Sequence, residues 1–446
     1  TVAVMQLVEQ DAVRLDEPVS TYLPELSMYD DAQAKFTVRQ LLTHHSGLPG
    51  DLFADWITSE PGLEALHELD AKLAGVPLAS EPGRMFSYSN LGFALLGRLV
   101  EETSGEPFDA YVRRNIFEPA GMTQSEVFPG EVGMESPLGY TRKGVIDIPA
   151  IRDVPAGSII VSAADMARFT GELFAGDSAI LAPETRDAMF VRQNTGNSID
   201  RDFAIGLGFW LIDPLATGEL VAAHGGNLPP AFNSVLVTLP ELDLAVFVAA
   251  NDERAADLPV SVGLEILAEL LSWRGGERPV SPPAGDFLSV PKDDVDTFAG
   301  TYVTIAGLVE VQPRGDAFVA KVAGKPLYFA PRENGRYGVQ ARLLNLIPLP
   351  IPALEAMEFD MFEVNGTAWM GIWLGGVYAG AFSKLEPVAY PQSFNAYAGA
   401  YTIVGSTMPV VDGSPAVADV SIELRGDRQV LSFTLMGMPM ELALRP

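Results

Sequence analysis

Between Arg278 and Gly285 the chain reads Arg278-Pro279-Val280-Ser281-Pro282-Pro283-Ala284-Gly285, and three prolines with a glycine in eight residues can continue neither a helix nor an inner strand. The texture differs on the two sides of this break. Before it, stretches with helical spacing of apolar residues alternate with a few strand-like runs. After it come only short strand-like runs separated by turn signals. With 446 residues, the chain exceeds one ordinary core. The expectation is two folded units, residues 1–277 and 296–446, joined by a linker over 278–295.

The first unit reads as a mixed α/β (α+β) fold. Residues 1–10 have helical periodicity and are apolar around most of their circumference, as a buried helix would be. No initiator Met and no loop precede them, so residues are expected to be missing upstream. Residues 38–43 suggest a short helix closed by His44-His45-Ser46-Gly47-Leu48-Pro49. A firmer helix is expected from about Asn90 to Thr103, with Leu91, Leu95 and Leu99 on one face and Gly105 as its stop. Residues 232–239 and 244–250 read as an antiparallel hairpin, followed by an amphipathic helix over 260–273 that ends at Gly275-Gly276. This order implies an antiparallel sheet with helices packed on it.

Beyond residue 296 the runs 300–311, 359–364, 369–382, 417–424 and 430–435 are punctuated by Asn334-Gly335, Asn365-Gly366 and Gly426-Asp427. That is the pattern of an up-and-down β-barrel or a sandwich. A weak echo, Phe298-Ala299-Gly300-Thr301-Tyr302 against Tyr397-Ala398-Gly399-Ala400-Tyr401, marks either matching strand starts or two half-barrels.

A net charge of −29 repels phosphate backbones and anionic bilayers, so nucleic-acid partners are not expected. No apolar stretch reaches eighteen residues, which leaves no candidate membrane span. With no cysteine there is no disulfide, thiolate nucleophile or cysteine-ligated metal.

The stretch richest in chemical signal is Pro82-Gly83-Arg84-Met85-Phe86-Ser87-Tyr88-Ser89-Asn90-Leu91-Gly92, a turn that presents Tyr88 and Asn90 just before a helix. Taken alone, Asn90 is a plausible N-cap. Its surroundings, however, match position by position the Tyr-Ser-Asn motif of the penicillin-recognising serine hydrolases, which include class C β-lactamases and D-peptidases. Further matches follow in that family's order: Gln6-Leu7-Val8-Glu9 with Leu15-Asp16-Glu17-Pro18, Leu41 to Pro49, Phe117-Glu118-Pro119-Ala120-Gly121-Met122, Pro155-Ala156-Gly157-Ser158 with Ser162-Ala163-Ala164-Asp165, and His224-Gly225-Gly226. The ordered set covers about the first 270 residues. The resemblance implies a β-lactamase/DD-peptidase-like domain, with the later strands forming a lipocalin-like barrel.

It also implies roles. Tyr88 would serve as general base and then acid, and Asn90 would hold the substrate amide. His224 would stabilise the Tyr88 network and the substrate's anionic end. Gly225 and Gly226 would let substrate backbone lie along the strand, and the backbone N–H of Asn227 would form half of an oxyanion hole. His44, His45 and His67 read instead as loop-orienting or solvent-facing, without metal-ligand spacing. The family's nucleophile, a Ser-x-x-Lys motif, does not precede Tyr88 here, and in relatives it lies a few residues before the position of Thr1. Ser289-Val290-Pro291-Lys292 fits the string but lies beyond the linker and reads as a cap.

His-x-Gly as third motif, where efficient class C β-lactamases carry Lys, points toward a peptidase or amidase acting next to a D-residue on a small or short-peptide substrate, with no metal or organic cofactor. Alternatives are a carboxylesterase or weak β-lactamase of the same fold, and a non-catalytic protein that binds peptides or β-lactams. The barrel is expected to shape access to the cleft or to make a homo-oligomer contact. A lipid-binding barrel is the weaker reading, because small barrels fill with their own side chains. The compartment leans toward periplasmic or secreted.

Overall fold

The computed structural model describes residues 1–444 except 53–55, 59–61, 129–136, 257, 276–277, 280–284, 305–306, 323–324, 344–346, 350–353, 355–356, 387–397, 402–416, 426–427 and 436–437. The expected turn at Gly426-Asp427, the stop residue Gly276, Tyr397 and residues 280–284 of the expected linker therefore lie outside the described residues. The chain divides into two compact units, Thr1–Asn197 with Arg201–Pro282, and Ser198–Asp200 with Pro283–Pro446.

In the first unit the helices that matter for the site are α1 (Val2–Glu9), α2 (Val38–Leu42), α3 (Asn90–Ser104), α4 (Ala163–Leu173) and α5 (Leu258–Trp273). Helix α1 is buried from Val2 to Leu7. The amide nitrogen of its one polar residue in that stretch is satisfied, since Gln6 Nε2 donates to the carbonyls of Asn115 at 2.9 Å and Ile180 at 2.7 Å. Helix α3 starts where the Ser89 hydroxyl accepts the Gly92 N–H at 3.1 Å and stops at Gly105, whose φ is 72°. Leu91, Leu95 and Leu99 line one face and are completely buried, each contributing about 1.5–3 kcal/mol of transfer free energy.

Five antiparallel strands form one meander in chain order: β1 (Ala204–Ile205), β2 (Trp210–Ile212), β3 (Val221–Leu228), β4 (Phe232–Leu239) and β5 (Leu244–Ala250). Alternation sorts the side chains of β3 and β4 between two cores. Val221, Ala223, Val235 and Val237 pack with Leu267 and Ala268 of α5, whereas Ala222 and Leu236 pack into the helical core. His224 follows Ala222 by two and lies directly opposite Leu236, so its side chain is directed to the helical face.

In the second unit eight antiparallel strands follow one another in hydrogen-bonded order: β6 (Gly300–Thr304), β7 (Gly307–Arg314), β8 (Ala317–Val322), β9 (Lys325–Pro331), β10 (Tyr337–Leu343), β11 (Met357–Val364), β12 (Thr367–Leu374) and β13 (Val377–Ser383). The ring nearly closes, through a bridge between Tyr302 and Lys384 and a Leu385 N–H donated to Thr301 O at 2.7 Å. Its core is filled by Tyr302, Val311, Phe318, Phe329 and Met370, as expected for so narrow a barrel.

Two long runs of the sequence fold back on themselves. Residues 300–311 form the β6–β7 hairpin, with Gly300 opposite Val311. Residues 369–382 belong to β12 and β13, reversed at Gly375 and Gly376 with φ of 58° and 82°. Closure at Lys384 leaves the later strands to a separate four-stranded sheet, made by β14 (Gly399–Ala400), β15 (Val417–Arg425), β16 (Arg428–Leu435) and β17 (Met438–Leu444). The echoed glycines, Gly300 and Gly399, each open a strand, one in the barrel and one in this sheet. Among the described residues no helix is long and apolar enough to cross a membrane.

Candidate active site

The loop that carries Tyr88 is held by a second loop from far upstream. Helix α2 begins with a capping box between Thr37 and Gln40, and just beyond its end His44 turns into the left-handed region at φ 57°. Gly47 follows at φ 76°, where a Cβ would lie 2.1 Å from the Ser80 carbonyl oxygen, so no other residue fits. Its own carbonyl accepts the Ala79 N–H at 2.8 Å. Gly83 N–H then reaches His45 O at 2.7 Å, Ser87 N–H reaches His44 O at 2.8 Å, and Ser89 N–H reaches His44 Nδ1 at 3.0 Å. Residues 44–47 and 79–89 thus form one laced structure with Tyr88 at its end.

Around Tyr88 three rings converge. Its centroid lies 4.3 Å from that of His44, 6.1 Å from Trp210 and 6.2 Å from His224, and Trp210 stacks on His224 at 4.4 Å. Trp210 reaches this place because β2 pairs with β3 over Val221–Ala223 and begins at Trp210, opposite Ala223. Among the described residues, β3 pairs from His224 to Leu228 only with β4, so this half of a central strand is an edge. Gly225 and Gly226 sit on that edge. Asn227 is exposed there, its side-chain amide donating to Asn233 Oδ1.

Because Ser89 serves as the cap of α3, Asn90 is left with a free side chain, and its Nδ2 donates to Asp51 Oδ1 at 2.9 Å. Its backbone N–H is held by Gly50 O at 2.9 Å. Close to Asp51 lies a buried ion pair, Arg152 with Asp153, bonded through Nε at 2.8 Å and Nη2 at 2.9 Å, with Nη2 also on Leu52 O at 3.1 Å. The N-terminal end of α1 abuts the turn just before Trp210, since a Cβ on Gly208 (φ 76°) would fall 2.2 Å from Thr1 Oγ1.

Burial pushes the Tyr88 phenol up to about 12, and the Asp51 carboxylate adds to the rise, although 37 % of the residue remains exposed. The His224 imidazole is pushed down to about 4, chiefly by burial, against the opposing hydrogen bond to Gly225 O at 2.7 Å. His44 lies well below the usual range, through burial first and then its neighbours His224 and His45. Burial raises Asp51; the Asn90 amide and Arg152 oppose this, and Asp153 adds to it. At neutral pH the site therefore holds a phenol and two neutral imidazoles. The Ser89 N–H makes His44 Nδ1 an acceptor, so Nε2 carries the proton; that N–H and Trp210 Nε1–H are buried without a hydrogen-bond partner among the described residues. Also among the described residues, no three His, Asp or Glu side chains are grouped as a metal site would need.

Of the residues singled out from the sequence, Tyr88 and His224 meet, and Asn90 stands at the start of α3 facing Asp51. Gly225, Gly226 and Asn227 run outward from His224 along β3. His44 and His45 are buried, while His67 is half exposed and pairs with Glu101 at 3.0 Å. Asp51, Trp210 and the Arg152–Asp153 pair were not foreseen. The one sequence signal for them is position, Asp51 directly after the Gly47-Leu48-Pro49-Gly50 turn and Trp210 directly after Gly206-Leu207-Gly208-Phe209.

Comparison with known proteins agrees with the motif order. The Beta-lactamase family model matches residues 1–268. Penicillin-binding protein 4 of Amycolatopsis lactamdurans is 30% identical over 324 residues, covering 67% of this chain and 80% of that protein. PbpX of Bacillus subtilis (strain 168) is 30% identical over 237 residues, 52% of this chain and only 54% of its own length. Among solved structures, SurE superposes with a TM-score of 0.62 at 20% identity, over 86% of this chain and 84% of that one. The octameric penicillin-binding protein homologue from Pyrococcus abyssi gives 0.53 at 23% identity, over 85% of each chain. These two likenesses concern the fold. The chain belongs to the beta-lactamase family of serine hydrolases.

Proposed function

We propose that this protein is an acyl-transferring amidase or peptidase that cleaves next to a D-residue, working through a serine acyl-enzyme. The observation that carries the proposal is the meeting of Tyr88 and His224, from distant parts of the chain, beside an open half-strand and the N-terminal end of α1. The Ser-x-x-Lys pair is proposed to stand on the chain directly preceding Thr1, where a serine and lysine one turn apart would share a helix face and enter the ring cluster. This placement has an electrostatic logic. Tyr88 next to Asp51 is a poor base, with its phenol pushed up to about 12; a lysine ammonium beside it would bring it down toward working range.

In the proposed cycle the serine hydroxyl attacks the acyl carbon, with its proton passing to the lysine–Tyr88 pair, and the tetrahedral oxyanion is met by backbone N–H groups including that of Asn227. Tyr88 then returns a proton to the leaving amine, and water releases the acyl group by the reverse sequence. Neutral His224 acts as a hydrogen-bonding partner for Tyr88 and substrate. The preference for a D-residue rests on His224-Gly225-Gly226 in the place of the family's third motif. The second unit is proposed to shape access to the cleft or to join copies of the chain.

A fluorophosphonate probe should label the full-length protein once, on a serine upstream of Thr1. Initial rates across D-amino-acid amides, D-Ala-D-Ala peptides, short acyl esters and a chromogenic cephalosporin should be highest for the amides. Absence of labelling would leave the binding-protein alternative; highest rates on esters or the cephalosporin would replace the amidase reading with its esterase or β-lactamase alternative.

A further inference from the structure

We infer that Asp51 is a specificity-determining residue whose carboxylate, beside the Asn90 amide, receives the protonated primary amine of the substrate, so that amides with a free α-amino group are selected over N-acylated ones. The inference rests on the amidase reading above and adds to it the chemical group that the cleft recognises.

Asp51 is fixed in place from both sides. The carbonyl of the preceding Gly50 accepts the Asn90 N–H at 2.9 Å, and Asp51 Oδ1 accepts Asn90 Nδ2 at 2.9 Å. Because a carboxylate offers only acceptors, this bond sets the amide flip of Asn90, with Nδ2 toward Asp51 and Oδ1 turned away from it. Asp51 Oδ2 accepts no hydrogen bond among the described residues. Two neighbouring side chains, Asp51 and Asn90, thus each carry an acceptor oxygen outside the bond that joins them. A primary ammonium, with three donors and no acceptor, complements that pair, whereas a carboxylate does not.

The surrounding charges point the same way. The guanidinium that acts on Asp51 is that of Arg152, which is buried and bonded to both oxygens of Asp153 and to Leu52 O. It has been spent inside the protein. Asp153 and Tyr88 are the other titratable groups in Asp51's field; the Asp153 carboxylate is paired with Arg152, and Tyr88 is a neutral phenol. His224, which a carboxylate-bearing substrate would need as an imidazolium, is neutral at physiological pH. An anionic substrate end would meet Asp51 uncompensated, and a cationic one would be paired.

The alternative is that Asp51 does no more than hold Asn90, and a substrate pair separates the two. With full-length protein, kcat/KM for D-alanine p-nitroanilide should exceed that for its N-acetyl derivative by about 10- to 100-fold at pH 7, the worth of one charge-assisted hydrogen bond. In Asp51→Asn the ratio should collapse to within about threefold. In the wild type it should also fall as pH rises through the α-amino pKa of about 7.7–8.0, while the N-acetyl substrate keeps its own profile. If both substrates lose rate together and the ratio survives in the variant, Asp51 is a positioning residue and the inference is overturned.

Should neither substrate turn over, the amidase reading fails and binding still decides about Asp51. Calorimetry with D-alanine amide and N-acetyl-D-alanine amide should show preferential binding of the free amine that Asp51→Asn abolishes. Equal affinity for the two ligands in the wild type would refute amine recognition even if the variant does not fold.

Discussion

The tyrosines of the two units live under opposite rules. In the barrel, Tyr302 is completely buried and its hydroxyl donates to the Phe298 carbonyl at 3.0 Å, while the Tyr337 hydroxyl is closed onto Asp294. In the first unit Tyr88 stays 37 % exposed amid rings whose polar atoms include two without hydrogen-bond partners among the described residues, His44 Nε2 and Trp210 Nε1. A buried polar group left open costs stability, so a fold retains such groups where something else uses them. Tyr302 and Tyr337 close their hydroxyls onto groups of the second unit, whereas Tyr88 keeps its own available.

The largest expected effect breaks the comparison at its centre. Tyr88→Phe removes the proposed proton carrier and leaves the ring stack, so kcat/KM should fall by about 10²- to 10⁴-fold. Its thermal midpoint should stay close to that of the wild type, because more than a third of the residue faces solvent. A variant that loses stability and keeps its activity would make Tyr88 a packing residue like Tyr302.

A smaller effect follows from the imidazoles. All four histidines, His44, His45, His67 and His224, precede the Pro-rich break, so the second unit carries none. The folded-state value of His224 is depressed to about 4 from an ordinary 6.5. Between those values the unfolded chain binds a proton that the folded chain refuses. The stability His224 contributes is therefore present above pH 6.5 and is lost as pH falls through about 4, and His44 shifts in the same direction. Denaturant unfolding of the first unit should weaken by about 2 kcal/mol across that window, less after His224→Gln. An unchanged slope in the variant would remove His224 as the source.

How far the sequence reached follows the same divide between local and distant information. Helix α3 was legible because its leucine stripe and its Gly105 stop lie close together in the chain, although the cap is Ser89 and not Asn90, the residue the sequence suggests. Strands β4 and β5 were legible because β-branched runs flank an obvious turn. The β12–β13 reversal was not, since Gly375 and Gly376 interrupt a run that is otherwise apolar from Trp369 to Phe382. In the site, Tyr88, Asn90 and His224 stand in recognisable strings, whereas Trp210 matters only because β2 begins opposite Ala223. Asp51 is equally silent in the sequence: its bond to Asn90 joins residues 39 apart, and no local pattern encodes that pairing.

The smallest effect sharpens the comparison from the barrel side. Tyr302→Phe keeps the ring that packs with Val309, Val311 and Phe318 and removes only the hydroxyl. The Phe298 carbonyl then loses its donor in a buried place, which should cost about 1–2 kcal/mol and lower the thermal midpoint of the second unit by roughly 2–6 °C. kcat/KM should be unchanged. The same loss of one phenolic oxygen thus has opposite signatures in the two units, rate without stability at Tyr88 and stability without rate at Tyr302. A rate defect in Tyr302→Phe would mean that the barrel's internal order is felt in catalysis, and the second unit would then have to be treated as part of the enzyme's working machinery.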